Sequence, residues 1–351
     1  PASEFKYRFN WQAPFLVSSH DPKTIYFAGN VVFRTRDEGM TWERISDDLT
    51  LNLKDKMKVA GSPWLPEYFG QETFSTIHRL VESPHEEGVL WAGSDDGLLH
   101  LTRDGGKTWE QISPDLTAFR PERQMASGGP ITRDITGEEH YSVLYVIEES
   151  PTEPGVIWAG SDDGLVHVSR DNGANWTAVS PPHRGEAMIN AIELSPHADG
   201  TAYLAVAAYK LNDFSPYIYK TTDYGRRWKR IDEGLPQDTF VRVVREDPLR
   251  PGQLYAGTEA GMFVSLDDGD NWHSLALNLP PVPITDLAIR QDSLVAATQG
   301  RGFWILDDLF MARAAAAGIG DDPLEAFAAE ENVLFHGRGW SSEDFEAPNP
   351  P

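Results

Sequence analysis

Cysteine is absent from this chain, and basic residues are scarce. Without cysteine there is no disulfide framework, no thiol nucleophile and no cysteine-ligated zinc site. Only 30 Lys and Arg residues stand against 54 Asp and Glu residues, so the formal net charge is −24. This charge disfavours nucleic acid and anionic lipid as partners, because both require clustered cations, and it favours a partner with a basic surface.

Long apolar runs are missing as well. No stretch reaches the roughly 18 apolar residues of a membrane-spanning helix, so the sequence predicts no transmembrane segment. The opening Pro-Ala-Ser-Glu-Phe does not have the pattern of a signal peptide. No long helical periodicity appears before Asp307, and glycine and proline are plentiful. The composition therefore favours an all-β chain rich in turns.

One short pattern, Ser/Thr-x-Asp-x-Gly-x-x-Trp, occurs five times. In it the carboxylate is placed to accept hydrogen bonds from the following turn, glycine supplies a positive φ, and tryptophan opens the next strand. These roles belong to folding, so we predict a structural function for the aspartates and expect their loss to reduce stability. They are Asp37, Asp104, Asp171, Asp223 and Asp267.

Each copy lies in a longer unit that predicts four strands. Asp-Gly turns between apolar runs indicate hairpins, and a repeated four-stranded unit is a β-propeller blade. We predict six blades, or seven if Asn332–His336 adds material. The sixth unit lacks the motif and an outer strand, and we expect Phe5–Asn10 to pair with Gly302–Leu306 and close the ring. The propeller then covers residues 1–310, and 311–351 form an extension that is partly helical and ends in an acidic, proline-rich tail.

Two insertions distinguish the early blades from the later ones. The motif aspartates are 67, 67, 52 and 44 residues apart, and the long steps carry Leu51–Ser75 and Ala118–Ser142. Connections between blades share one propeller face with the loops between second and third strands. We therefore expect both insertions to lie on the face that carries the Asp-Asp-Gly turns at Asp95 and Asp162.

Carboxylates on that face are the candidates for catalysis. A glycosidase needs two of them, one as acid and one as base or nucleophile. The alternatives remain turn formation for the Asp-Asp-Gly residues and solvation or loop capping for the glutamates. His100 and His167 occupy equivalent positions and mark the repeat, so we predict no metal site and no cofactor. The catalytic candidates are Glu72, Glu139, Asp96 and Asp163.

The insertions also contain candidate binding residues. Aromatic side chains on a loop often form a recognition surface, although they can equally pack the loop onto the ring. Blades without an insertion need none of these residues. The predicted binding residues are Trp64, Tyr68, Phe69, Arg133 and Asp134.

The repeat resembles the Asp-box, or BNR, repeat of sialidase-like and sortilin-N-terminal-like β-propellers over residues 11–310. Segments such as Tyr7–Pro14, Ser127–Thr132 and Gly300–Leu309 are similar to the C-terminal propeller of large bacterial exported proteins labelled glycosyl hydrolase BNR-repeat. The resemblance implies a periplasmic or extracellular location and a preceding propeller. Similar repeats build photosystem II assembly factors, which are not enzymes.

Sialidase chemistry is not supported by the residues. That family uses an arginine triad, a tyrosine nucleophile and an early Arg-Ile-Pro motif, which this sequence lacks. Arg79, Arg242 and Arg245 lie on predicted innermost strands without a matching spacing. We therefore interpret the chain as a non-catalytic scaffold or assembly propeller that binds other protein subunits. The alternative is a glycoside hydrolase that binds carbohydrate through paired carboxylates.

Overall fold

The repeated units form the blades of a β-propeller. The computed structural model describes residues 4–316 except 63, 68–71, 130, 134, 136–138 and 183–184. Five sheets have four antiparallel strands in chain order from the channel outward, and the sixth has three. The all-β propeller expectation is confirmed.

The strands follow the predicted hairpins closely. Blade 1 contains β1 (Phe15–Val17), β2 (Ile25–Ala28), β3 (Val32–Thr35) and β4 (Glu43–Arg44), and a small hairpin, β5 (Ala60–Ser62) and β6 (Leu65–Glu67), lies in the first insertion. Blade 2 contains β7 (Ile77–Glu82), β8 (Leu90–Ser94), β9 (Leu99–Thr102) and β10 (Glu110–Gln111). Blade 3 contains β11 (Leu144–Glu149), β12 (Ile157–Ser161), β13 (Val166–Ser169) and β14 (Thr177–Ala178).

The remaining blades are more compact. Blade 4 contains β15 (Met188–Leu194), β16 (Ala202–Ala207), β17 (Ile218–Thr221) and β18 (Lys229–Arg230). Blade 5 contains β19 (Val241–Glu246), β20 (Leu254–Thr258), β21 (Gly261–Ser265) and β22 (His273–Ser274). Blade 6 contains β23 (Ile284–Arg290), β24 (Ser293–Thr298) and β25 (Phe303–Leu306), and the helix α1 (Phe310–Ala316) follows. Short 3₁₀ helices cover Pro121–Arg123 and Tyr209–Leu211.

The motif aspartates build the turns between third and fourth strands. In all five copies Oδ1 accepts the backbone N–H four residues later, at 2.8–2.9 Å. The preceding Ser or Thr hydroxyl donates to the same carboxylate. Because hydrogen bonds favour the ionised form, the pKa of Asp104 falls to about 2. These contacts fit the predicted structural role.

The N-terminal segment does not close the ring as expected. Arg8 exchanges hydrogen bonds with Asn30 of blade 1, and the Phe9 ring stacks on Phe27 and Phe33. In the described part of the chain β25 pairs only with β24. The proposed pairing of Phe5–Asn10 with Gly302–Leu306 was wrong, because the aromatic side chains of this segment find their partners on the face of blade 1.

The helix α1 is fixed beneath blades 5 and 6 by one guanidinium group. Arg313 Nε lies 3.0 Å from Oδ2 of the fully buried Asp247, and its Nη1 lies 2.6 Å from Asp292. Arg250 donates to the Arg313 carbonyl oxygen at 2.7 Å. Within the described residues no helix is long and apolar enough to cross a membrane.

Candidate functional site

Both insertions lie on one face and bind each other. Gly61 and Arg133 exchange backbone hydrogen bonds at 2.9 and 3.0 Å. The Lys56 ammonium group donates to Gln124 at 2.7 Å and lies 4.6 Å from the centre of the Phe74 ring. Burial lowers the pKa of Lys56. The insertions therefore form one packed layer over blades 2 and 3, which we call the insertion face.

Two predicted catalytic aspartates serve this layer structurally. Asp96 accepts the backbone N–H of Leu51 at 2.6 Å, and Asp163 accepts that of Ala118 at 2.8 Å. Each carboxylate thus fixes the beginning of an insertion to the hairpin turn of the next blade. This geometry agrees with the turn interpretation of Asp96 and Asp163.

The predicted glutamates have different surroundings. Glu72 accepts a hydrogen bond from the indole N–H of Trp11, whereas Glu139 lies on the wall of a cavity on the insertion face. Of the two glutamates, only Glu139 therefore lines this cavity, and Glu72 contacts a neighbouring aromatic residue.

Among the predicted binding residues, Trp64 is 92% exposed. Arg133 is only partly exposed, and it donates to the Lys56 carbonyl oxygen at 3.3 Å, so its contacts hold the two insertions together. Tyr68, Phe69 and Asp134 lie outside the described residues.

The cavity on the insertion face has a volume of about 470 Å³ and adjoins a second one of about 220 Å³. Both are lined by four residues from four different segments: Tyr141, Asp162, Met188 and Lys210. The larger cavity adds aromatic walls from Tyr145 and Tyr209, and the Tyr209 ring stacks on Phe240 at 4.8 Å between centroids. A concave site with aromatic walls and few polar groups is the usual form of a small-ligand site.

Asp162 is the carboxyl group that both cavities share. Its Oδ1 accepts the backbone N–H groups of Ser142 and Val143 at 3.1 and 2.8 Å, and no other described residue donates to its Oδ2. Burial raises the pKa of Asp162 to about 7, with a smaller contribution from the neighbouring Asp163. Asp162 can therefore hold a proton at neutral pH and present it to the cavity.

Asp95, the equivalent residue of blade 2, has different hydrogen-bond donors from Asp162. Both oxygens of Asp95 are bonded by Thr76, Oδ1 by its N–H and Oδ2 by its hydroxyl, each at 2.9 Å. At the 67-residue offset Thr76 corresponds to Val143, which has no hydroxyl group. Asp162 was not among the predicted catalytic residues, and this Thr-to-Val difference was the available signal.

Glu186 also lines the smaller cavity, but it is strongly paired. Its carboxylate lies 2.6 Å from Arg120 and 3.4 Å from Arg123, and the Tyr141 hydroxyl donates to it at 2.7 Å. These contacts neutralise the carboxylate and connect the second insertion to blade 4. Burial, followed by this hydrogen bond, raises the pKa of Tyr141.

The central channel begins next to this cavity and has a volume of about 330 Å³. In blades 2–6 the pairing of the first and second strands is interrupted by a bulge. A bulge re-aims one side chain, and here the residues at the bulges all line the channel. They are His78, Tyr145, Asn190, Arg242 and Thr285.

Charged residues lie deeper in the channel and are largely paired. Arg245 lies 3.4 Å from Glu193 and 2.9 Å from Asp286, and Arg79 lies 3.4 Å from Glu148. Burial raises the pKa of Glu193 to about 7 although Arg245 opposes the shift. The channel is therefore nearly balanced in charge, in contrast to the acidic chain as a whole.

Comparisons with known proteins identify similar propellers. No family model matches the chain. A probable oligoxyloglucan-reducing end-specific xyloglucanase of Neosartorya fischeri is 24% identical over 215 residues, which are 57% of this chain and 23% of that protein. The vacuolar protein sorting/targeting protein 10 of Laccaria bicolor is 26% identical over 180 residues, 48% of this chain and 11% of that protein.

Solved structures give the same fold. The GH74 xyloglucanase of Xanthomonas campestris matches with a TM-score of 0.57 and 21% identity, over 85% of this chain and 45% of that one. YCF48 bound to a D1 peptide matches with a TM-score of 0.52 and 17% identity, over 86% of this chain and 81% of that one. The chain spans less than half of either xyloglucanase. These findings support a β-propeller relationship, and the narrower sialidase-like assignment stays a prediction.

Proposed function

We propose that the protein is a carbohydrate-active propeller, a glycoside hydrolase whose substrate binds in the insertion-face cavity. The supporting observation is Asp162, which lines the cavity, whose pKa is raised by burial to about 7 and whose Oδ2 has no donor among the described residues. Glycoside hydrolysis requires a carboxylic acid that is still protonated near neutral pH.

The proposed chemistry uses two carboxyl groups of the same cavity. Asp162 donates its proton to the glycosidic oxygen as the bond to the leaving sugar breaks. Glu139, on the wall of the larger cavity, is the second carboxylate, which activates water or attacks the sugar. Glu186 is less suitable, because two arginines and Tyr141 already bind it. Tyr145 and Tyr209 offer aromatic faces for the apolar side of a sugar ring.

This proposal reverses the preference drawn from the sequence. The Asp-Asp-Gly turns serve the fold, as the non-catalytic interpretation expected, whereas relatives named as xyloglucanases favour the carbohydrate alternative. Xyloglucan and its oligosaccharides are therefore the first substrates to test. A polysaccharide substrate is consistent with the extracellular or periplasmic location that we predict.

The test is hydrolysis of a panel of xyloglucan and other β-glucan oligosaccharides by wild type, Asp162→Asn and Glu139→Gln. We expect each substitution to reduce kcat at least about a hundredfold, the usual contribution of a positioned acid or base. The matched control is Asp95→Asn, at the equivalent position of blade 2, which should keep its activity when folded. Hydrolysis by the wild type that persists in Asp162→Asn would reject the assignment of the acid.

A second candidate is a protein or peptide partner on the same face. The exposed apolar residues Trp64, Met125 and Ile131 support it, as does the likeness to a propeller that binds a peptide. The net charge of −24 favours a basic partner. Trp64→Ala should then weaken association without changing the melting temperature, since the side chain is almost wholly exposed. Unchanged association in Trp64→Ala would place the contact elsewhere, on the acidic rim or the C-terminal tail.

A further inference from the structure

His78 is a buried polar side chain that the proposed chemistry does not use. It lies at the bulge of β7, and only 7% of the residue is exposed. Its Nδ1 is buried and has no hydrogen-bond partner among the described residues. Buried polar groups are nearly always hydrogen-bonded in folded proteins, because an unmade bond destabilises the folded state. The imidazole of His78 is therefore placed for a partner that comes from outside the described chain.

The imidazole of His78 is uncharged at neutral pH. Burial lowers the pKa of His78 to about 4, and the cationic groups of Arg79 and Lys210 add to the shift. In a neutral imidazole one ring nitrogen carries a hydrogen and donates, and the other accepts. A hydroxyl group can also donate or accept, so it suits either tautomer of His78.

The position of His78 connects two cavities. His78 lines the insertion-face cavity of about 470 Å³, which also contains Asp162, and it lines the channel cavity of about 330 Å³. Gln12 and Tyr145 line both cavities as well. The two cavities therefore meet at these three side chains, and a ligand held at Asp162 can extend past His78 into the mouth of the channel.

The equivalent bulge residues of blades 4–6 have partners within the fold. The side-chain amide of Asn190 donates to a backbone carbonyl oxygen of blade 5. The guanidinium group of Arg242 lies 2.7 Å from Glu259. The hydroxyl group of Thr285 donates to a carbonyl oxygen of its own blade at 3.2 Å. These three residues thus use their polar atoms to support the ring, whereas Nδ1 of His78 does not.

The surroundings of His78 favour an uncharged ligand with an apolar face. The ring of Tyr145 lies 5.0 Å from that of His78, between centroids, and adds aromatic surface where the two cavities meet. Deeper in the channel, Arg245 is already paired with Glu193 and Asp286, so these charges stabilise each other. A sugar ring combines hydroxyl groups with an apolar face, and aromatic side chains with a polar group nearby suit both.

We propose that the channel mouth at His78 is a second carbohydrate-binding position, which takes a further sugar unit of an uncharged oligosaccharide bound at Asp162. The imidazole of His78 forms a hydrogen bond with a hydroxyl group of that sugar, and Tyr145 contacts its apolar face. This inference rests on the proposed function, and it adds that the substrate is an oligosaccharide long enough to occupy both cavities.

Calorimetric titration of the full chain with cellobiose and cellohexaose tests the inference, in Asp162→Asn so that no hydrolysis occurs. Adding His78→Phe keeps an aromatic ring beside Tyr145 but removes the ring nitrogens. We expect it to weaken cellohexaose binding about two- to tenfold, the effect of one lost hydrogen bond, and to reduce the gain in affinity from cellobiose to cellohexaose. The matched control is His100→Phe, because Nδ1 of His100 is also buried and unpaired but His100 lines neither cavity.

Three results separate this inference from the proposed function. Binding that His78→Phe weakens, without hydrolysis by the wild type, would support the sugar position and reject the hydrolase. Hydrolysis and cellohexaose binding that His78→Phe leaves unchanged would overturn only the role of His78, and no binding at all would overturn both. If His78→Phe does not fold, the imidazole nitrogen resonances of His78 in Asp162→Asn decide the question: they should shift on addition of cellohexaose, and unchanged resonances would overturn the proposal.

Discussion

The hydroxyl group of Thr76 donates a hydrogen bond of 2.9 Å to Oδ2 of Asp95, and the equivalent pair in the next blade is Val143 and Asp162. A single hydroxyl group therefore separates a carboxylate whose two oxygens are both bonded from one that faces a cavity. Burial raises the pKa of Asp95 as well, so the missing hydroxyl donor and the position on the cavity wall are what distinguish Asp162.

Restoring the hydroxyl should weaken the proposed acid. In Val143→Thr the new donor to Oδ2 stabilises the ionised form of Asp162, so its pKa should fall, although burial keeps it above the ordinary value as it does for Asp95. Carboxyl titration by NMR measures this directly, and the alkaline limit of activity should move to lower pH with it. Thr76→Val, which acts on Asp95, is the matched control and should leave the activity profile unchanged.

Asp162 should also make stability depend on pH. Its folded pKa of about 7 lies above the ordinary 3.8, so the folded state binds the proton more tightly between these values. The contribution of this group to stability is present below about pH 4 and is lost as pH rises towards 7, at about 1.4 kcal/mol per pKa unit. Urea unfolding at several pH values should show a flatter profile in Asp162→Asn; an identical profile would contradict the raised pKa.

The motif aspartates should behave in the opposite way. The folded pKa of Asp104 is about 2 against an ordinary 3.8, so its stabilisation is present above about pH 4 and is lost as pH falls towards 2. Asp104→Ala and Asp171→Ala should therefore lower the melting temperature at pH 7 and reduce its acid dependence. Ligand affinity of the folded variants should stay at the wild-type value. Normal stability with lost affinity would contradict the structural role.

Arg8 should fix the N-terminal segment to the ring. Its guanidinium group is buried and donates to Asp48 at 2.7 Å and to the Ser75 carbonyl oxygen at 3.1 Å. Arg8→Ala should cost about 1.5–3 kcal/mol of unfolding free energy, the range for hydrogen bonds to charged groups. The control Arg44→Ala removes the exposed pair with Asp47 and should cost less than about 1 kcal/mol. Equal losses in chemical denaturation would show that the segment does not depend on Arg8.

Arg313 should be essential for the position of α1. Its removal leaves Asp247, which is fully inaccessible to solvent, without its cationic partner. Breaking a buried pair from one side costs about 3–5 kcal/mol, so Arg313→Ala should lower the melting temperature strongly. Replacement of the exposed Arg301 by Ala is the control. A small effect of Arg313→Ala would mean that water or another cation reaches Asp247.

Sequence periodicity predicted the blades because each turn is determined locally. The Asp-Gly hairpins and the five motif turns involve residues within about four positions of each other, so short patterns reveal them. The three strands of blade 6 were predicted from their apolar runs, since this blade lacks the motif. Asp96 and Asp163 were correctly assigned to one face, because inter-blade connections and second hairpins share it.

Contacts between distant residues were harder to predict. The N-terminal segment was assigned to β25 because that edge lacked a partner, but the stacking of Phe9 on Phe27 and Phe33 favours blade 1. The difference between Asp162 and Asp95 depends on Val143, which lies 19 positions before Asp162. A single valine in a strand does not by itself indicate a site. Bulges in the first strands also lack a sequence signal, since a bulge is specified by the pairing of two strands.

The bulges in the first strands separate the residues that pack the blades from the residues that line the channel. In blades 2–6 the residue at the bulge lines the channel, and the residue before it is buried inside the blade. Substitution at those five positions can therefore change polarity, charge and width along the axis while the interior of every blade stays intact. Divergent members of such an architecture are free to acquire new ligands without first becoming more stable.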